Sequence, residues 1–83
     1  MKVVVKKKNT PIPVVIRTEF IKLQDAMKFS NAAESGGMAK SAIQDGEVLV
    51  NGEVCTMRGK KLYPGDTFGF LGAEYLICIH ESN

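Results

Sequence analysis

The sequence predicts one α+β domain in which two short helices lie on a small, mostly antiparallel sheet. Three observations carry that expectation. Apolar residues recur at helical spacing between Phe20 and Ile43, and they alternate with a period of two from Glu47 onward. Asn51-Gly52 and Pro64-Gly65 then punctuate the second half as turns would. At 83 residues the chain suits a single small core. Its 45% hydrophobic content and net charge of +2 exclude general disorder, and eight Gly with three Pro interrupt every heptad run. No apolar run approaches the roughly 20 residues of a membrane-spanning helix, and none reads as a secretory core, so a cytoplasmic protein is expected. Two cysteines make no disulfide framework and are expected to be reduced.

Taken in order, residues 1–13 combine Val3-Val4-Val5, Lys6-Lys7-Lys8 and the prolines of Thr10-Pro11-Ile12-Pro13. Proline fixes φ and removes a donor, so this piece reads as an appendage, at most a short edge strand followed by an extended linker. Val14 to Thr18 is β-branched and suits a strand. Phe20, Leu23, Ala26, Met27 and Ser30 share one helical face, with Lys22 and Lys28 away from it. Phe29 falls off that stripe. It is expected to pack beneath the next connection; the alternative is an exposed ring able to stack on a base. Ser35 suits the N-cap of a second helix, whose apolar stripe is Met38, Ala39, Ala42 and Ile43, with Lys40 and Gln44 opposite. Gly46 after Asp45 is a natural place for that helix to end.

Val48 and Val50 alternate with Leu49 before the Asn51-Gly52 hairpin signal, and Glu53 to Met57 returns as the partner strand. Arg58 to Leu62 reads as a basic loop or short strand, and Tyr63-Pro64-Gly65-Asp66 as a type II turn. Thr67 to Leu71 and Ala73 to His80 complete the sheet as two strands joined through Gly72.

Charge is unevenly placed. Residues 1–28 hold seven basic and two acidic side chains, residues 29–57 one basic and four acidic, residues 58–63 three basic, and residues 64–83 three acidic. If folding brings the two basic blocks together, the resulting face suits a polyanion. Alternatively, the lysines merely solvate two surfaces.

Read together, Lys22-Leu23, Ser35-Gly36-Gly37 with Ala39-Lys40 and Ile43, the run from Gly46 to Val54 containing Val-Leu-Val-Asn-Gly, and Lys61-Leu62-Tyr63-Pro64-Gly65-Asp66 form a pattern. That pattern, spanning Phe20 to Phe70, resembles the RNA-binding domain named from ribosomal small-subunit protein four, and in particular its small stand-alone bacterial members. The resemblance implies an RNA-binding domain over residues 14–83 with its motif-bearing core at 20–70. It further implies non-catalytic binding of structured RNA, ribosomal RNA first and transfer RNA second, in ribosome assembly or translation. Carried over position by position, Lys22 opens helix one. Ser35, Gly36 and Gly37 form the start of helix two, where amides and dipole favour phosphate. Lys40 lies along that helix, and Arg58, Lys60 and Lys61 extend the charged surface. This chain departs from the pattern in three places. Helix two carries Lys40 alone instead of several Arg, Gln24 stands where an acidic residue is usual, and Tyr63 stands where a basic one is common. These departures imply weaker or more selective binding. A monomer without a cofactor is expected.

Other classes fit less well. His80 has no Ser or Cys partner in a recognisable catalytic motif, and no phosphate loop of the nucleotide-hydrolase type is present. Cys78 and His80 alternate onto one strand face near where Cys55 can sit, a three-ligand set for zinc, but an isolated strand cysteine is more often a small buried hydrophobe. A ubiquitin-like sulfur carrier needs a terminal Gly-Gly, and the sequence here ends Glu81-Ser82-Asn83. The alternative kept open is a protein-interaction adaptor without direct RNA contact.

Overall fold

A computed structural model describes residues 11–80; the Val3-Val4-Val5 and Lys6-Lys7-Lys8 runs lie outside the described residues. The elements are β1 (Ile12–Ile16), β2 (Ile21–Lys22), α1 (Leu23–Phe29), α2 (Gly36–Gln44), β3 (Leu49–Val50), β4 (Glu53–Val54), β5 (Lys61–Leu62), β6 (Thr67–Phe70) and β7 (Ala73–Ile79). Five strands form a sheet in the order β1-β7-β6-β3-β4, while β2 and β5 form a separate two-stranded ribbon. All pairings are antiparallel except β1 with β7. The class is therefore the expected one, two helices on a mostly antiparallel sheet.

Strand β1 starts at Ile12, two residues before the expected Val14, and contains Pro13. Among the described residues it is an edge strand, which is where a sheet tolerates proline. Helix α1 starts at Leu23 rather than near Phe20, because the backbone at Ile21 and Lys22 pairs with Leu62 and Lys61 instead of coiling. The partner strand after Asn51-Gly52 is also shorter than expected, Glu53–Val54 only, with Cys55 N–H reaching the Val48 carbonyl at 3.0 Å beyond it.

The helices supply Leu23, Ala26, Met27, Ala39, Ala42 and Ile43 to the core. From the strands and their flanks come Val14, Ile16, Val48, Val50, Leu62, Phe68, Phe70, Tyr75 and Ile77. Alanine at three of the six helical positions keeps side chains short where the two helices pack. Phe68 and Tyr75 are direct cross-strand partners with rings stacked at 4.7 Å between centroids. No polar or charged side chain is buried among the described residues. Truncating Leu23 or Ile43, both fully buried, to alanine costs about 2–5 kcal/mol.

Tyr63-Pro64-Gly65-Asp66 is the type II turn expected, with Gly65 at φ +99° and Asp66 N–H donating to the Tyr63 carbonyl at 2.9 Å. Asn51 and Gly52 both have positive φ, as a type I′ hairpin requires. These two turns are bonded to each other. The Asn51 side-chain amide donates to Asp66 Oδ1 at 3.3 Å, Thr67 N–H donates to Asn51 Oδ1 at 3.0 Å, and Tyr63 N–H donates to Asp66 Oδ2 at 2.8 Å.

Phe29 does not pack beneath the following connection. Ala33 N–H donates to the Met27 carbonyl, so the chain folds back over Met27 and buries the Ala33 methyl, leaving the Phe29 ring 62% exposed. Met38, placed on the apolar stripe of α2, is likewise exposed. Cys55 and Cys78 are half-buried thiols, and no three His, Cys, Asp or Glu side chains converge to hold a metal among the described residues.

Candidate nucleic-acid interface

Two helix starts and one loop carry the candidate site residues. At the start of α2, Ser35 is the N-cap in extended conformation, its hydroxyl accepting from Met38 N–H at 3.1 Å. The Gly36 and Gly37 amides belong to the first turn, which has no intrahelical acceptors, and the positive end of the helix dipole lies with them. Lys40, four residues after Gly36 and three after Gly37, shares their face and is exposed.

The start of α1 is built differently. Lys22 is its N-cap residue but makes no side-chain capping bond. Instead the basic loop caps it: Leu23 N–H donates to the Lys60 carbonyl at 2.8 Å and Gln24 N–H to the Arg58 carbonyl at 3.0 Å. Lys60 N–H closes the loop on the Met57 carbonyl at 3.1 Å, and β5 then runs back along β2. The result joins segments more than 30 residues apart, with Lys22 directly opposite Lys61. Like charges facing across a strand pair are unfavourable, and a lysine at a helix N-terminus opposes the dipole. Lys22 is thus doubly unfavourable for folding.

Gln24 joins the two halves. Its backbone is bound to the Arg58 carbonyl, and its side-chain amide donates to the Gly36 carbonyl at 3.2 Å. A carboxylate at this position has no proton to donate, which gives the departure at Gln24 a physical content. Lys28 comes to the same place: a Cβ built on Gly36 would lie 3.3 Å from Gln24 Nε2 and 3.5 Å from Lys28 Cδ. Gln24 and Lys28 are not among the residues that the sequence pattern assigns to the candidate site. The signal available was their i,i+4 spacing, which puts both on the flank of α1 that meets α2.

All eight sequence-expected site residues (Lys22, Ser35, Gly36, Gly37, Lys40, Arg58, Lys60 and Lys61) lie on the two helix starts or the loop bonded to one of them, and all but the half-buried Gly36 are exposed. Lys61 has a further neighbour, with its ammonium 4.8 Å from the centre of the Phe20 ring.

A small sheet carrying two helices, with a basic loop bonded to the start of the first and the Gln24 side chain linking that helix to the start of the second, defines the class of protein, and residues 14–78 match the model of the S4 domain. The chain belongs to the S4 domain family. Among its relatives is a Bacillus subtilis (strain 168) protein named "Probable ribosome maturation protein RlbA", 48% identical over 54 residues, which are 65% of this chain and 76% of the relative. Another, from Escherichia coli (strain K12), is named "Putative RNA-binding protein YbcJ" and is 40% identical over 52 residues, 63% of this chain and 74% of that one. The solution structure of E. coli YbcJ, described as revealing an αL motif involved in RNA binding, superposes with a TM-score of 0.66. That superposition covers 90% of this chain and 96% of the other at 28% identity.

Proposed function

We propose that this protein binds structured RNA without catalysis, with ribosomal RNA as its target and ribosome assembly as the setting. The observation that carries the reading is the bonding of the Arg58–Lys61 loop onto the start of α1, which faces Lys22 with Lys61 at a cost to folding that a polyanion offsets. Names of the relatives point the same way, one to ribosome maturation and one to RNA binding.

Backbone phosphates dock at the Ser35-Gly36-Gly37 amides and against Lys22, Lys28, Lys40, Arg58, Lys60 and Lys61. An A-form stem presents phosphates and 2′-hydroxyls more readily than base edges, so a module of this size recognises shape first. Gln24 holds the two halves of the surface in register.

The test is binding to ribosomal RNA, transfer RNA and duplex DNA at one salt concentration. The expected result is tightest binding to ribosomal RNA and weakest to duplex DNA. Equal binding to all three would reject the assignment, and binding to none of them would favour the adaptor reading.

A further inference from the structure

We propose that Tyr63 is a stacking platform for one unpaired nucleobase at the margin of the phosphate-docking surface. The inference deepens the RNA reading and rests on it.

Strand pairing places the residue. Ile21 faces Leu62 in the antiparallel β2–β5 ribbon, and the next step along it brings Phe20 beside Tyr63. Their ring centroids are 5.8 Å apart and tilted by 49°. On the ribbon's charged side Lys61 extends its ammonium over the Phe20 ring at 4.8 Å. One end of the ribbon is therefore an aromatic pair bordered by a cation, directly continuous with Lys22 and Lys61.

The platform is held from behind. Asp66 accepts from Tyr63 N–H at 2.8 Å, Asn51 bonds to the same carboxylate, and Pro64 follows in a closed turn. On the other side Thr18 Oγ1 donates to the Phe20 carbonyl at 2.8 Å. Yet Tyr63 is 45% exposed, whereas the structural aromatic pair of this domain, Phe68 with Tyr75, is almost wholly buried. A half-exposed ring on a hydrogen-bonded turn, paired with Phe20 and its Lys61 cation, has the chemistry that takes a base: a π-face for stacking, and a cation for the phosphate next to it. Unpaired bases flanking a stem are the part of structured RNA that can be splayed onto such a ring.

The experiment compares an RNA stem flanked by unpaired adenosines with the same stem blunt-ended, using wild type, Tyr63→Phe and Tyr63→Leu, each checked for folding by circular dichroism. Wild type and Tyr63→Phe are expected to bind the flanked stem at least about fivefold more tightly than the blunt one. Tyr63→Leu is expected to lose that preference while binding the blunt stem as wild type does. Because the sequence has no Trp, Tyr63→Trp adds a single fluorophore, expected to be quenched by the flanked stem and not by the blunt one. A preference retained by Tyr63→Leu would overturn the proposal. Equal binding of both stems by wild type would overturn the stacking platform alone. Failure to bind either stem would overturn the RNA reading along with it.

Discussion

Gly37 occupies a place where glycine is not required by packing. A Cβ there would meet only Ser35 Oγ, at 3.9 Å, an ordinary contact, and its φ is not in the left-handed region. Glycine inside a helix is unfavourable relative to alanine by about 0.5–1 kcal/mol. Close approach of a phosphate to the first-turn amides is a reason to keep it. Gly37→Ala is therefore expected to raise Tm by roughly 2–8 °C and to weaken RNA binding, read by thermal melts and by titration. Unchanged affinity would remove Gly37 from the contact surface. The Ser35-Gly36-Gly37 start was legible because capping chemistry is local to a few residues. Gln24 and Lys28 were not, since their value comes from Gly36, eight or more residues away, and single-sequence periodicity reports only which face of a helix is apolar.

At the scale of elements, the β2–β5 ribbon is the least legible part of the fold and the one on which the site most depends. Phe20 fits the helical stripe of α1 by spacing, yet two residues of strand pairing with Leu62 and Lys61 delay the helix to Leu23. A two-residue strand has no period to detect. The hairpins, by contrast, were marked by residues whose backbone demands are specific: Asn51 and Gly52 at positive φ, and Gly65 at φ +99°. The ribbon also makes a stability prediction. Lys22 faces Lys61 and sits at the N-terminus of α1, so Lys22→Gln is expected to stabilise the free protein by about 0.5 kcal/mol at low salt. The gain is expected to shrink as salt screens the exposed charges, and RNA affinity to fall. Denaturant titration of both proteins at low and high salt checks this; a destabilised variant would contradict it.

Across the whole molecule, folding resolves the charge pattern that composition alone leaves open. Among the described residues, the start of α1 meets the 58–63 block because the Arg58 and Lys60 carbonyls cap α1, so Lys22, Arg58, Lys60 and Lys61 fall on one region. Fold class followed from the switch of period near Glu47. The parallel pairing of β1 with β7 did not, because it joins strands separated by nearly the whole described chain and nothing local encodes it. Phe29 shows the limit in the other direction: an off-stripe aromatic is expected to find cover, but the connection closes over Met27 instead and leaves the ring exposed. The central claim is that this shared region neutralises RNA phosphates. Its most direct test is the salt dependence of ribosomal RNA binding for wild type and for a protein carrying Lys22→Ala, Lys40→Ala, Lys60→Ala and Lys61→Ala together. Log affinity is expected to fall with log salt by roughly 0.7–0.9 per contact, and the quadruple variant to lose about 2–4 units of slope. A variant that stays folded and keeps the wild-type slope would contradict the claim.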